Sequence, residues 1–376
     1  MARVLVAMSG GVDSAVAAAL LVDQGHEVTG VHLKLADLPL DEQVPGHGCC
    51  TLDDAQDARR AAQVLGIPYY VWDMSDVFER EVQAPFAASY ATGTTPNPCV
   101  TCNERVKYAA LLERARALGF DALATGHHAC LRRDGVPVVE PGAGAELHRA
   151  VDGAKDQSYV LYVATPDQLA HTLLPIGELT KAAVREVAAE RGLRVANKPD
   201  SYDVCFIPDG DTAGYLSERL PAAPGPIIDA DGAVLGTHDG VWRFTVGQRR
   251  GLGLDHHQRR FVTDVDAGRA TVRVGPREEL ACRWAELASP TWTTGRLPEG
   301  TVRVQVRAHG RSVPGRVVPA QDPERVRVEL EEPVYGLALG QAGVLYSSDD
   351  RVCLGGGRVV AAERPAGLPV AASPSA

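Results

Sequence analysis

Three short stretches hold the residues whose types and spacing suit them for chemistry. The first, Ser9-Gly10-Gly11-Val12-Asp13-Ser14, follows the apolar run "VLVAM" and leads into an alanine-rich segment. A turn between a strand and a helix gathers backbone N–H groups at the positive helix end. Its glycines let a ligand approach the main chain, and its serines add hydroxyl donors. That is an anion site, most simply for phosphate. It is not a Walker A loop, because no Lys-Ser or Lys-Thr follows, and G-x-G-x-x-G is absent too. Asp13 is out of place beside a phosphate unless a Mg²⁺ ion mediates.

The second stretch is "TPNPCVTCNERVKY". Cys99 and Cys102 form a C-x-x-C just before a helical segment. A thiol at a helix N-terminus is biased toward thiolate. The pair fits half a zinc site, a redox pair or structural thiols, and no second C-x-x-C completes a four-cysteine zinc site. The third stretch, "KPDSYDVCFIPDG", places Cys205 in a turn-rich segment where the helical texture ends. Cys49, Cys50, Cys130, Cys282 and Cys353 read as buried structural thiols.

The elements that must position these groups alternate strand and helix. "RVLVAM", "EVTGVHLKL", "PYYVWDM" and "DALATGHHA" read as strands. "SAVAAALLVDQG", "LDDAQDARRAAQVLG" and "NERVKYAALLERARALG" read as helices ending at Gly25, Gly66 and Gly119. This alternation implies an α/β fold with a doubly wound parallel sheet, whose ligands sit beyond the carboxyl ends of the strands. "TPDQLAHTLL" carries a capping box at Thr165 and Gln168 and is expected to be helical, as is "TKAAVREVAAERG". Beyond about residue 206, turns multiply and short alternating strands take over. That suggests a small β-rich domain followed by a β-barrel. The expected limits are 1–205, 206–280 and 281–362, with a disordered tail at 363–376.

The 376 residues suffice for two or three domains, and 45% apolar with 23% charged residues is a globular composition. No run reaches the length of a membrane span, and the N-terminus lacks a signal-peptide pattern. A cytoplasmic protein with reduced cysteines is expected. The formal charge of −10 argues mildly against nucleic acid. Yet arginines outnumber acidic residues about two to one between Val241 and Arg316, so a basic face is compatible with it.

SGGxDS after a first strand resembles the PP-loop of the ATP pyrophosphatase superfamily, whose members split ATP into AMP and pyrophosphate. The resemblance implies a nucleotide pocket built from Ala7, Met8, Ser9, Gly10, Gly11, Val12, Asp13 and Ser14, with Leu33 and Gly126 from neighbouring strand ends.

The ordered set SGGVDS, TPNPCVTCN, TGHHA, KDQSYVLY, KPDSYDVCFI and TVGQRRGLG resembles the bacterial tRNA-specific 2-thiouridylase family, to about residue 357. That resemblance implies ATP-dependent 2-thiolation of the wobble uridine in tRNAs for Lys, Glu and Gln. Cys102 is then the nucleophile and Cys205 the persulfide carrier, and the two end as a transient disulfide. Sulfur arrives from a cysteine desulfurase or a relay protein. Asn97, Pro98, Cys99, His127, Lys155, Asp156, Gln157, Arg307, His309 and Gln341 fall where the family meets RNA, with Asn97 expected to line the base pocket. Relatives often carry Arg-Tyr-Arg where this chain has Arg307-Ala308-His309, which removes an aromatic stacking surface.

Some relatives carry Asp where this chain has Cys99. Three cysteines, Cys99, Cys102 and Cys205, could therefore hold a [4Fe–4S] cluster with one open iron, an alternative sulfur route. Another PP-loop adenylating enzyme and a non-catalytic RNA-binding module are the rival readings. A monomer is expected.

Overall fold

The computed structural model describes residues 1–35, 52–200, 204–207, 209–254 and 259–363. Cys49, Cys50, residues 201–203 and 208 of "KPDSYDVCFIPDG" and the tail from 364 lie outside the described residues.

Strands β1 (Arg3–Ala7), β2 (Glu27–Lys34), β3 (Tyr69–Asp73) and β4 (Ala122–Thr125) pair in parallel in the order β3-β2-β1-β4. A fifth short strand, Thr172–Leu173, adds beside β4. Alternate residues of β1 serve different cores, as a pleated strand requires. Val4 and Val6 pack with helices α1 (Val12–Asp23) and α2 (Leu52–Leu65), whereas Leu5 faces Tyr108, Leu111 and Tyr159. The chain runs outward from β1 to β3 and returns to β4. The topological switch point thus falls between β1 and β4, the place where such sheets bind ligands.

Two local expectations fail here. The helix opened by the Thr165 capping box covers only Pro166–Ala170. Thr172 and Leu173 leave it for the sheet, pairing with Leu123 and Ala124. An open sheet edge overrode a weak helical pattern. The C-x-x-C does not precede its helix but opens it. Pro98–Thr101 runs straight into a π-helical segment, Cys102–Leu112, and then Glu113–Ala117. Proline at the first helical position and Asn97 before it start this helix earlier than its apolar spacing suggests.

Downstream, the strands Gly225–Ile228, Val234–His238, Phe261–Asp266 and Thr271–Gly275 form a four-stranded sheet around Ile227, Phe244 and Val272. Six antiparallel strands between Ala281 and Ala362 then close into a barrel. The barrel is not an appendage. Ala342, Val344, Tyr346 and Cys353 belong to the same buried cluster as Leu5, Leu111 and Tyr159 of the first domain.

Candidate active site

The phosphate loop is built by close approach. Gly10 has φ +84°, and a Cβ there would lie 2.3 Å from the Asp54 carbonyl oxygen. At Gly126, just after β4, a Cβ would lie 2.5 Å from the Ser14 nitrogen. Only glycine lets the two sides of the switch point meet so tightly. Gly11 caps α1 without a side-chain hydrogen bond, so no side chain of the cap takes up the first-turn N–H groups. The Ser9 N–H donates to Ser14 Oγ at 3.1 Å, and the Ser14 hydroxyl donates to the Gly11 carbonyl at 3.2 Å.

Asp13 projects from the first turn of α1. Lys181 Nζ donates to both its oxygens at 2.8 Å, and His128 Nε2 donates to Oδ1 at 3.2 Å. Burial alone would raise the Asp13 carboxyl. The His128 and Lys181 contacts outweigh it and hold the carboxyl below its ordinary value. His128 is buried, and its Nδ1 has no hydrogen-bond partner among the described residues. A Mg²⁺ ion at this loop would find Asp13 already paired with a cation. The carboxylate fits such an ion only by releasing Lys181.

Sequence reasoning missed a cationic pair behind the loop. Lys198 Nζ donates to the Gly10 carbonyl at 3.0 Å and to Asp54 and Asp57 at 2.7 and 2.8 Å. Lys181 bridges Asp13 to Asp200 at 2.8 Å. One signal was present for Lys181. It is the first residue after the Thr180 cap, where the helix dipole disfavours a cation, so an outside reason is needed to keep it there.

Cys102 is buried, and Cys205 packs against the same apolar cluster, with Phe78, Phe86, Val106, Phe206 and Ile207. The fold thus carries two cysteines about a hundred positions apart into one neighbourhood. Cys99 lies in the first turn of its helix, outside that cluster. Among the described residues no group of three or more Cys, His, Asp or Glu could hold a metal ion. The three thiols are not gathered as an iron–sulfur ligand set, and no step is derived through one. Cys130, Cys282 and Cys353 are buried, and burial pushes their thiols up to about 12, 11 and 12. They are inert by that criterion.

The segments expected to meet RNA surround this centre, but several of their side chains are engaged inward. Asn97 Oδ1 accepts from the Cys99 and Val100 N–H groups at 3.0 and 3.4 Å, capping the cysteine helix. Asn97→Ala is therefore expected to cost about 1 kcal/mol of stability. Asn97→Asp, which keeps the acceptor, should restore it; thermal melts of both variants check this. Pro98 is the first residue of that helix. The Asp156 carboxylate accepts from Arg149, Ser158 Oγ and the N–H groups of Ala150 and Ser158. It stabilises its loop rather than presenting an edge to solvent. Arg307 donates to the carbonyls of Tyr335 and Gly336, and the Gln341 amide donates to the Thr95 carbonyl at 2.8 Å.

Lys155, Gln157 and His309 are exposed. Lys155 pairs with Asp200 at 2.7 Å. Gln157 Oε1 accepts from the His128 N–H at 2.9 Å, and the Gln157 N–H donates to the His128 carbonyl at 2.7 Å. His127 receives a hydrogen bond from Lys107 on Nε2, so Nδ1 donates to Thr125 Oγ1 at 2.7 Å. Burial first, then the charges of Lys107 and His128, hold its imidazole well below 6.5, and it is neutral.

Thr95 ties all three domains together. Its hydroxyl donates to Thr245 Oγ1 at 3.1 Å in the central domain, and its N–H donates to the barrel's Leu339 carbonyl at 2.8 Å. With the Gln341 bond, the loop before the cysteine helix is held by two other domains. Arg249, Arg250 and Arg259 are exposed beside this junction's "TVGQ" turn.

Three family models match consecutive parts of the chain. They are described as a tRNA methyl transferase HUP domain (residues 2–209), a tRNA methyl transferase PRC-barrel domain (213–276) and an aminomethyltransferase beta-barrel domain (285–359). The chain is 52% identical to the tRNA-specific 2-thiouridylase MnmA of Salinispora arenicola, covering 92% of this chain and 95% of that one. It is 55% identical to the protein of the same name from Frankia casuarinae, covering 95% and 98%. A solved 4-thiouridine synthetase–RNA complex with bound ATP shares 17% identity over 58% of this chain and 50% of that one. Its TM-score of 0.34 is too low to carry an argument.

Proposed function

The chain belongs to the tRNA-specific 2-thiouridylase family, and on that premise we propose that it is an ATP-dependent tRNA-uridine 2-sulfurtransferase. The methyl transferase wording of the family models carries less weight than identities above half over nearly the full length of the named relatives. A further observation favours sulfur transfer: Cys102 and Cys205 share one cluster, and methyl transfer gives such a pair no role.

In this reading the Ser9–Ser14 loop and the α1 N-terminus hold the ATP phosphates, with Ala7, Met8, Leu33 and Gly126 shaping the pocket. Mg²⁺, when bound, would shield the triphosphate charge. Asp13 is the loop's carboxylate that would hold it once Lys181 is released. The O2 oxygen of the wobble uridine, in tRNA for Lys, Glu or Gln, attacks the α-phosphorus, and pyrophosphate leaves. The oxygen becomes part of an AMP leaving group. A persulfide on Cys205, supplied by a cysteine desulfurase or relay protein, delivers its outer sulfur to C2, and AMP departs. The Cys102 thiolate takes up the inner Cys205 sulfur. A Cys102–Cys205 disulfide remains for an external thiol to reduce.

Asn97, Pro98, Cys99, His127, Lys155, Gln157, His309 and Gln341 frame the approach of the flipped base and its backbone. The enzyme works as a cytoplasmic monomer. Among the described residues no helix is long and apolar enough to cross a membrane. The catalytic, central and barrel units divide at about residues 205 and 280.

The test is anaerobic purification, iron and labile-sulfide analysis, and assay of Cys99→Ser, Cys102→Ser and Cys205→Ser. Thiolation is expected to vanish in the latter two. tRNA-dependent pyrophosphate release should survive in both, and Cys99→Ser should keep activity. Activity that follows bound iron and needs all three thiols would overturn the persulfide route.

A further inference from the structure

The two halves of the site meet at one side chain. Lys107 stands five positions after Cys102 on the π-helical segment. A π-helix closes its hydrogen bonds over five residues, so Lys107 lies one turn along from the cysteine. Cys102 and Val106 face the apolar cluster that holds Cys205. One position on from each, Asn103 donates to the Val160 carbonyl at 2.9 Å and Lys107 Nζ lies 3.1 Å from His127 Nε2. His127 follows Gly126, the residue pressed against the start of α1. Lys107 therefore reaches from the cysteine helix to the edge of the phosphate loop.

The charge on Lys107 is unmatched. Its ammonium is half-buried, its bond goes to a neutral ring, and among the described residues no carboxylate pairs with it. A carboxylate in the place of His127 would orient the lysine and cancel its charge. An imidazole accepting on Nε2, with its Nδ1 proton committed to Thr125 Oγ1 at 2.7 Å, orients it and leaves the charge in place. Drawing a cation partly out of water without a counter-charge costs free energy, and an arriving anion recovers it. The phosphate loop would hold the triphosphate, and the base that receives sulfur must sit beside the thiols. The α-phosphoryl group is the part of the nucleotide that joins the two, and Lys107 ends at that junction.

We propose that Lys107 is a further catalytic residue, whose ammonium binds the α-phosphoryl oxygens in both chemical steps. The inference rests on the nucleotide reading of the Ser9–Ser14 loop. In the first step uridine O2 bonds to the α-phosphorus, the bond from that phosphorus to the β-bridging oxygen breaks, and its electron pair leaves with pyrophosphate. Lys107 offsets the charge gathered on the non-bridging oxygens. In the second step the outer persulfide sulfur bonds to C2, the C2–O2 bond breaks, and its electron pair departs on AMP. The same ammonium receives that charge. A cation already in place needs no reorganisation as the charge develops.

The experiment compares ATP with the two diastereomers of ATPαS, in which sulfur replaces one α-phosphoryl oxygen. Pyrophosphate release is followed in single turnovers with unmodified tRNA for Glu and Mg²⁺, on the full chain and its variants. Calorimetry with α,β-methylene-ATP measures binding separately. With ATP, Lys107→Met should release pyrophosphate about a hundredfold more slowly, the scale of one lost electrostatic donor, while analogue binding stays close to wild type. The rate ratio of the two diastereomers should change about tenfold in this variant, the worth of one charged hydrogen bond. Lys107→Arg keeps the cation and should recover most of the rate. Should Lys107→Met not fold, Lys107→Gln, which keeps a polar head without the charge, replaces it with the same outcomes. A slow variant with an unchanged ratio would make Lys107 a structural prop and overturn the assignment, as would wild-type rates. A wild type that neither binds the analogue nor releases pyrophosphate refutes the nucleotide reading and the assignment with it.

Discussion

Gly126→Ala is expected to lower tRNA-dependent pyrophosphate release about a hundredfold, the scale on which a misplaced electrostatic donor is felt in catalysis. The added methyl would sit 2.5 Å from the Ser14 nitrogen and 2.7 Å from the Asp13 carbonyl carbon. Both are backbone atoms at the start of α1, and neither can rotate away. The helix start must retreat from β4, carrying the first-turn N–H groups out of register with the phosphates. The fold should survive, because such overpacking costs about 1–3 kcal/mol. Calorimetric titration with the ATP analogue and a pyrophosphate assay measure the effect. Wild-type nucleotide affinity in this variant would remove Gly126 from the site.

Arg149→Met is expected to be the most destabilising single change outside the site. The guanidinium donates to Asp156 Oδ2 at 2.8 Å, to Gln305 Oε1 at 2.9 Å and to Asp350 at 2.9 Å, and lies 3.6 Å over the Tyr346 ring. Asp156 is almost fully buried and would be left without its counter-charge. Breaking a buried pair on one side costs about 3–5 kcal/mol. Because the partners lie on both the first domain and the barrel, the loss should appear as a lower melting temperature and weaker domain docking. Chemical denaturation with limited proteolysis resolves the two. A melting point within a degree or two of wild type would show that the network contributes little.

The parts of this protein legible in its sequence are those where one local signal suffices. Glycines after α1 and α2 at Gly25 and Gly66 do adopt positive φ, and alternating valines mark the barrel strands. The Ser9–Ser14 turn could be read because its chemistry and its geometry occupy the same six residues. Thr172–Leu173 could not, because only the exposed edge of β4 makes it a strand. Polar residues were the hardest. Asn97, Asp156 and Gln341 were assigned to an RNA surface by the family resemblance, and nothing local in the sequence shows that each also spends its side chain on a backbone or buried partner. Lys181, Lys198 and Asp200 went unread for the same reason. Their partners lie between about 15 and 190 positions away, and nothing in the adjacent sequence names them.

The shared packing of the first domain and the barrel bears on how the chain is made. Tyr346 is fully buried against Tyr159 and Leu111, and Cys353 closes the same layer. These residues leave the ribosome near the end of synthesis, at roughly 5–20 residues per second. Until then the emerging first domain carries an apolar face that no barrel strand covers. Its parallel sheet can form early, but its second core waits for the last strands. The nascent protein is thus exposed to chaperones and proteases for many seconds. Truncations in the barrel should accordingly be cleared from cells as misfolded chains, not accumulate as a smaller stable domain.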